Sequence, residues 1–129
     1  NGLQIIGLNH MIADSTAYDM HAEQGRPSVR TTLETLEFDE SKPVILLHHG
    51  PAGIKHATNA GVDLYLAGHT HGGQIFPATL VARAIFEYNK GLHRYQDTYV
   101  YVCQGTGTFG PPMRVGTKSE MTILTLKPE

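Results

Sequence analysis

Two apolar runs of strand length lie in the middle of the chain, and each ends at a turn rich in histidine and glycine. PVILLH at 43–48 and VDLYLA at 62–67 are continuous apolar runs rather than alternating ones. Such runs are typical of strands that are covered on both faces, as in parallel sheets. Between them, AGIKHATNA predicts a helix over 52–60 that ends at Gly61. The pattern therefore predicts a βαβ unit with two parallel neighbouring strands.

The flanking segments predict shorter elements. GLQIIGL at 2–8 predicts a first strand, and the residues after Ser28 predict a short helix with one apolar stripe. Residues 76–97 predict a helical turn or two and then a turn that leads into the next strand. TYVYVC at 98–103 and EMTILTL at 120–126 alternate in polarity, which predicts two half-buried, antiparallel strands.

The two central strands each deliver histidines to the same edge of the predicted sheet. His48 and His49 end the first strand, and His69 and His71 follow the second in AGHTHGG. Adjacent strands lie about 4.8 Å apart, and ligands of open α/β sheets bind beyond the carboxyl ends of the parallel strands. In an extended segment, residues i and i+2 project to the same side, so His69 and His71 are both expected to face the site.

Imidazole is a preferred ligand of zinc, iron and manganese ions. We predict His49, His69 and His71 as metal ligands, because strand alternation turns His48 away from His49 and the glycines around the H-x-H segment leave room for a ligand shell. The alternative is a set of hydrogen-bonded histidines in a crowded turn. The convergence of three imidazoles at one sheet edge favours metal binding.

Composition narrows the class of protein. A length of 129 residues suits one domain with a modest core. The formal net charge is −2 and no basic run is present, so a nucleic-acid polymer is not an expected partner. The single cysteine, Cys103, excludes an internal disulfide framework. No apolar stretch approaches the roughly 20 residues of a membrane span. We expect a soluble chain with no targeting segment that begins, at Asn1, part-way through a longer protein.

Three segments carry a resemblance to a known family. ILLHHGP, AGVDLYLAGHTHGGQI and GTGTFGPPMRVGTKSEMTILTL closely resemble the C-terminal half of calcineurin-like metallophosphoesterases, over essentially the whole chain. The resemblance implies an α/β fold, namely the C-terminal half of a four-layer αββα sandwich, with 1–129 as a single partial domain. The tail looks like that of a bacterial branch whose members often carry an N-terminal anchor or export signal, so the parent protein is expected to be membrane-associated or exported.

The resemblance also implies residue roles and a reaction. His49 and His69 would serve one metal and His71 the other, in a dinuclear manganese, iron or zinc centre whose bridging hydroxide hydrolyses a phosphoester. Arg114 would contact the substrate phosphate, with a surface salt bridge as the alternative role. Lipid-linked and nucleotide-linked phosphoesters both suit the family, and the sequence does not choose between them.

The departures from the family pattern are equally informative. Its D-x-H, G-D-x-x-D and G-N-H-[DE] motifs, which supply the remaining ligands and the general-acid histidine, are absent, and GLNHM at 7–11 has an inserted leucine and no acidic residue. We therefore assign Asn9 and His10 no catalytic role and expect no catalytic residue in this chain. It should bind at most one metal ion weakly, lack activity without the N-terminal half, and self-associate through uncovered apolar surface. The alternative is a non-catalytic metal-binding or interaction module.

Several further residues are expected to be incidental or structural. GTGTFG at 105–110 matches a dinucleotide-binding pattern, but the two prolines that follow it prevent a helix from starting there. A glycine-rich loop that borders the active cavity fits better. Asp63 lies at the wrong end of its strand for the site. The histidines expected to have no role in the site are His10, His21, His56 and His93.

Overall fold

The computed structural model describes residues 2–9, 28–39 and 41–127. Within them, one five-stranded sheet has the strand order β1-β2-β3-β5-β4. Strands β1, β2, β3 and β5 are parallel to their neighbours, and β4 runs antiparallel to β5 at one edge. This mixed α/β architecture agrees with the predicted fold class. The strands are β1 Gln4–Gly7, β2 Val44–Leu47, β3 Leu64–Ala67, β4 Gly91–Tyr95 and β5 Thr98–Val102.

The predicted βαβ unit is confirmed, because β2 and β3 are adjacent and parallel and α2, Ile54–Asn59, connects them. The helix begins two residues later than predicted, since Gly53 precedes it with a left-handed φ of 69°. Gly61 lies just beyond its end with φ 79°, as predicted, and its N–H caps the Thr58 carbonyl at 3.0 Å.

The first helix, α1, spans Val29–Thr35 and begins where the sequence indicates. The Ser28 side chain accepts a hydrogen bond from the Thr31 N–H, and the Thr31 hydroxyl oxygen accepts one from the Ser28 N–H. This reciprocal capping box satisfies two donors that a helix start leaves open. Val29 and Leu33 are buried, and they form the apolar stripe that packs on the sheet.

One face of the sheet forms the hydrophobic core beneath α1 and α2. Alternate residues along β2, β3 and β5 point to this face, and the helices supply the opposing side chains. Because all of these residues are almost completely buried, this side of the sheet is closed. The buried cluster comprises Val29, Leu33, Val44, Leu46, Ile54, Ala57, Val62, Tyr65, Ala67, Val100 and Val102.

The opposite face of the sheet is apolar but open. Strand register aligns Ile5, Ile45, Leu64 and Tyr99 across it. Arg94 continues the row on β4 with its guanidinium over the Tyr99 ring, and Leu92 lies on the same face opposite Tyr101. Ile5, Tyr99 and Leu92 are exposed large hydrophobic side chains. The continuous apolar runs predicted strands that are covered on both faces. Within the described ranges, α1 and α2 cover one face of the sheet. We refer below to the closed face and the open face.

Two segments near the C terminus differ from prediction. The turn expected before the last strands is strand β4, which begins at Gly91 with φ 84°. EMTILTL was predicted as a strand, but residues 120–126 form none, and Met121 and Ile123 are highly exposed. Alternation in polarity alone does not make a strand, because each strand needs a neighbour for its backbone hydrogen bonds.

The remaining helix, α3, spans Ala78–Ile85 and lies beside the histidine turn rather than on the sheet. Its buried residue is Ala82, whereas Leu80, Val81 and Ile85 are exposed. No helix among the described residues is long and apolar enough to cross a membrane.

Candidate metal centre

His49 and His69 meet at the carboxyl ends of β2 and β3. The β2–β3 hydrogen bonds continue beyond the strands, because the Gly68 N–H donates to the His49 carbonyl at 3.0 Å. This places the two rings side by side, with 2.8 Å between His49 Nε2 and His69 Nδ1 and 4.6 Å between ring centroids. Both residues are exposed, so the two nitrogens lie at the surface of the sheet edge.

The backbone after β3 is not extended. His69, His71 and Gln74 have positive φ angles of 69°, 48° and 52°, and residues 71–73 form a 3₁₀ turn. The expectation that H-x-H projects both rings to one side of an extended segment is therefore wrong. Positive φ is uncommon for residues with a Cβ and costs about 1–3 kcal/mol when the surroundings enforce it. Strained residues of this kind cluster at functional sites, so the three positive φ angles support a functional role for this turn.

The glycines of the turn make room for neighbouring protein atoms. A Cβ on Gly73 would lie 2.5 Å from the Thr79 Cα and 2.8 Å from the Ala78 carbonyl oxygen, and one on Gly72 would lie 2.7 Å from Gln104 Oε1. Any side chain at Gly73 would push α3 away from the turn. Packing against neighbouring protein atoms therefore requires glycine at these two positions.

His71 contacts Arg114 through both its side chain and its carbonyl. Arg114 Nη2 lies 3.3 Å from His71 Nδ1, and Arg114 Nη1 donates to the His71 carbonyl at 3.2 Å. A guanidinium can only donate, so Nδ1 of His71 is the acceptor in this contact. The predicted trio thus divides into a His49–His69 pair and a separate His71–Arg114 contact.

Arg114 holds the glycine-rich loop to the histidine turn. Its Nη2 donates to the carbonyls of Gln104, Gly105 and Gly107 at 2.8, 3.0 and 2.6 Å. Among the residues that the structure describes, the partners of Arg114 are main-chain carbonyls, the Thr117 hydroxyl and His71 Nδ1 rather than a carboxylate. No helix starts in this loop, as the two prolines predict.

Gln74 makes a second connection to the same loop, which the sequence did not indicate. Its side-chain NH₂ donates to the carbonyls of Phe109 and Pro111 at 2.8 and 3.1 Å, and its Oε1 accepts from the Phe109 N–H at 2.6 Å. Its own carbonyl accepts from the Val115 N–H at 2.9 Å. Gln74 is buried, so these hydrogen bonds satisfy an amide that burial would otherwise penalise.

His48 lies beneath the site, as its strand position predicts. It is buried, and its Nδ1 lies 2.9 Å from the Tyr65 hydroxyl. That hydroxyl donates to the Ala52 carbonyl at 2.6 Å and also lies 3.1 Å from the Gly50 carbonyl, so the His48 N–H is the donor to Tyr65. Tyr65 therefore anchors the segment that follows His49.

Glu120 joins the tail to the sheet. Its carboxylate accepts hydrogen bonds from the Tyr101 hydroxyl, from the Gln104 side chain at 2.8 Å and from the Thr122 hydroxyl at 2.9 Å. Burial is the largest influence on the pKa of Glu120 and raises it, but these hydrogen bonds together outweigh burial and leave the pKa below its usual value. Burial, and then the bond to Glu120, raises the pKa of Tyr101.

The donor set fits part of a metal site. His49 Nε2 and His69 Nδ1 lie 2.8 Å apart, a hydrogen-bond distance at which one ring donates to the other. Two imidazole nitrogens brought together in this way are the donor type that a transition-metal ion takes, once both are deprotonated. Among the described residues, no group of three or more histidine, cysteine or acidic side chains is arranged to hold an ion. Further ligands are therefore needed to complete a site around His49 and His69.

The remaining predicted residues lie away from this pair. The Asp63 carboxylate accepts from the Val44 N–H at 2.7 Å and connects the starts of β2 and β3, as its structural role requires. His93 Nε2 lies 2.9 Å from the Lys90 carbonyl, and His56 lies on α2. His10 and His21 lie outside the described residues.

Curated proteins resemble most of this chain. It is 46% identical over 88 residues to a "Transmembrane protein with metallophosphoesterase domain" of Danio rerio, which covers 66% of this chain and 20% of that protein. It is 43% identical over 98 residues to an "Uncharacterized metallophosphoesterase" of Aquifex aeolicus, which covers 74% of this chain and 37% of that one. A third, "Uncharacterized metallophosphoesterase YkuE" of Bacillus subtilis, is 36% identical over 107 residues, 80% of this chain and 37% of its own length.

No family model matches the chain, and no solved structure matches it significantly. The agreement with several curated metallophosphoesterases shows that the chain belongs to the calcineurin-like metallophosphoesterase family. The match covers 20% of the length of the Danio rerio relative and 37% of the length of each of the other two.

Proposed function

We propose that the complete protein is a metal-dependent phosphoester hydrolase, a phosphodiesterase or phosphohydrolase, to which this chain contributes histidine ligands. The observation that carries the proposal is the contact of His49 and His69 at the carboxyl edge of the sheet, 2.8 Å between ring nitrogens. Relatives named metallophosphoesterases support the reaction class.

In this proposal His49 and His69 hold one divalent ion, and His71 contributes to a second ion of a dinuclear manganese, iron or zinc centre. Because Nδ1 is the acceptor in the Arg114 contact, His71 would bind that ion through Nδ1 and give up this contact, while its carbonyl stays bonded to Arg114. The contact of His49 with His69 and that of His71 with Arg114 support different ions for the two groups. Bound ions would activate water as a nucleophile and neutralise charge that develops on the phosphoryl oxygens. The chain's own contribution is to hold the imidazoles through the strand ends and the strained turn.

Arg114 is proposed to position His71 and the glycine-rich loop. Its Nη1 and Nη2 groups already donate to main-chain carbonyls, which favours positioning over a bidentate contact with substrate phosphate. Arg114→Lys would keep the positive charge but remove the planar set of donors. Lysine should therefore replace arginine in attracting a substrate phosphate better than in holding the loop carbonyls.

The missing ligands and the general acid are proposed to come from an N-terminal half that packs on the open face, with residues 1–129 as one partial domain. The exposed apolar residues Ile5, Leu92 and Tyr99 on this face support this, because a folded domain rarely leaves such a face uncovered. Without that half, we expect the chain to be inactive, to bind at most one ion weakly, and to associate through the open face.

The parent protein is proposed to be membrane-associated or exported. Support comes from the relatives named as transmembrane proteins and from the exposed apolar residues Leu80, Val81 and Ile85 of α3. Phosphoesters linked to lipids or nucleotides are the proposed substrate classes.

A second candidate function is a non-catalytic metal-binding or interaction module. The observation that favours it is that the described residues assemble no group of three metal ligands. The coding sequence upstream of Asn1 separates the two: D-x-H, G-D-x-x-D and G-N-H-[DE] motifs there support the enzyme, and their absence supports the module.

Hydrolysis of bis-p-nitrophenyl phosphate with Mn²⁺ tests the proposal directly. The complete protein should turn over the ester, and His69→Ala should abolish that activity, whereas His56→Ala, at a half-buried position on α2, should preserve it. The 129-residue chain should show negligible turnover. Robust turnover by this chain that His69→Ala removes would contradict its incompleteness, and equal turnover by the complete wild type and its His69→Ala variant would contradict the ligand role.

A further inference from the structure

We propose that Phe109 is a specificity-determining residue that contacts an apolar leaving group of the phosphoester, and that Gln74 positions it. This inference rests on the proposed function and goes beyond it by naming the part of the substrate that the glycine-rich loop recognises. The inference rests on two observations. The Phe109 side chain is exposed, and the buried side-chain amide of Gln74 is hydrogen-bonded to both the N–H and the carbonyl of Phe109.

The loop that bears Phe109 is attached to the histidine turn on both sides of that residue. Before it, the Gly107 carbonyl accepts from Arg114, which also donates to the His71 carbonyl. After it, the Pro111 carbonyl accepts from the Gln74 side chain. Phe109 is therefore held next to the turn that carries His69 and His71, and it cannot move away without breaking one of these connections.

The hydrogen bonds at Phe109 itself are unusually complete for an exposed loop residue. The Gln74 amide pairs with the Phe109 N–H at 2.6 Å and with the Phe109 carbonyl at 2.8 Å, in the manner of a neighbouring strand. Gln74 is buried and has a positive φ of 52°, a strained conformation that the surrounding contacts must stabilise. The result is a fixed backbone beneath a side chain that is 74% exposed.

Such an arrangement lowers the entropic cost of binding. The two prolines at 111 and 112 restrict the loop further, and a preorganised aromatic group loses little freedom when it contacts a ligand. A ring at this position can stack on or pack against an apolar group but has no charge or donor for the phosphate itself. The chemistry therefore points to the leaving group rather than to the phosphoryl group.

The exposed side chains of the open face differ from Phe109 in this respect. They lie on regular strands, and an additional layer of protein would bury them. Phe109 lies on a loop that is tied to the histidine turn, and a merely structural role would be to pack against the rest of the domain. The two roles predict different effects on substrate preference, which makes them separable.

The experiment compares two esters with the complete protein and Mn²⁺: bis-p-nitrophenyl phosphate, with an aromatic leaving group, and glycerophosphocholine, with polar ones. Phe109→Ala should lower kcat/KM for the aromatic ester about tenfold, the effect of losing one aromatic contact. The value for glycerophosphocholine should stay within about twofold. Met113→Ala, in the same loop and 53% exposed, is the matched control and should leave the preference unchanged.

Gln74→Glu tests the positioning step, because the carboxylate keeps an acceptor for the Phe109 N–H but cannot donate to the Phe109 and Pro111 carbonyls. It should reduce the preference for the aromatic ester in the wild-type background and have no further effect on that preference in the Phe109→Ala background. Equal losses for both esters in Phe109→Ala, or no change for either, would overturn the inference while leaving the proposed function intact. Absence of hydrolysis of both esters by the wild-type protein would overturn the two together.

Discussion

The two faces of the same sheet differ in completeness. On the closed face, Leu46 is 0% exposed and packs under α1 and α2, whereas its neighbour Leu47, on the open face, is 42% exposed. Both faces carry apolar side chains, so the sequence pattern alone does not distinguish them. The difference teaches that the stability of this chain comes mainly from one side of the sheet, while the other side leaves several apolar side chains at the surface.

The largest expected effect is the difference in unfolding free energy between alanine variants of Leu46 and Leu47. Leu46→Ala should reduce the free energy of unfolding by about 2–5 kcal/mol, because it removes buried methyl groups and leaves a cavity. Leu47→Ala should cost about 1 kcal/mol or less, since its side chain is partly exposed in the folded chain. Urea unfolding followed by circular dichroism measures both. Equal losses would contradict the distinction between the two faces.

The hydroxyl of Tyr65 gives the next largest effect on the closed face. Tyr65→Phe should destabilise the chain by about 1–3 kcal/mol, because His48 and the carbonyls of Gly50 and Ala52 lose their buried partner. Tyr99→Phe on the open face is the matched control and should change the unfolding free energy by less than about 0.5 kcal/mol. A Tyr65→Phe variant as stable as the wild type would show that this hydroxyl does not anchor the segment after His49.

Charges on the open face should weaken self-association of the 129-residue chain. Ile5→Lys combined with Leu92→Lys should raise the dissociation constant at least tenfold, about 1.4 kcal/mol, because both positions are exposed and apolar. Sedimentation velocity over a range of concentrations measures this. Arg30→Lys, on an exposed part of α1, serves as a control that should not alter association. A monomeric wild type at micromolar concentration would be inconsistent with an interacting open face.

The smallest effect concerns the attachment of the tail by Glu120. Its pKa in the folded chain lies below the usual 4.5, so its contribution is present above that value and is lost as the pH falls through the folded pKa. Glu120→Gln should therefore cost about 1 kcal/mol at pH 7, and this cost should shrink as the pH falls below 4.5 and through the folded pKa. Unfolding curves at pH 7 and at a series of acidic pH values test this. A difference that persists at low pH would point to shape rather than charge as the contribution of Glu120.

The sequence predicted the elements that have strong local signals. The continuous runs gave β2 and β3, Ser28 gave the start of α1, and Gly61 gave the end of α2. Strand β4 was not predicted, because its residues alternate weakly and it depends on pairing with β5. The strand predicted at 120–126 did not form, since alternation indicates half-burial but supplies no partner strand.

For the candidate site, the strand ends predicted the neighbouring positions of His49 and His69. The position of His71 was not predictable from spacing, because positive φ angles at His69 and His71 are imposed by tertiary contacts. The role of Gln74 depends on hydrogen bonds to main-chain carbonyls 35 and 37 residues away in sequence, and that of Arg114 on carbonyls 7 to 43 residues away. Side-chain identity carries no local signal for such contacts.

The metal content of the complete protein tests the account most directly. After loading with Mn²⁺ and desalting, the wild type and His56→Ala should each retain about two ions per chain by mass spectrometry of the metal, the content of a dinuclear centre. His69→Ala should retain at least one ion fewer. A His69→Ala protein that folds as the wild type does and keeps its full metal content would contradict the proposal that the strand-end histidines hold the ion.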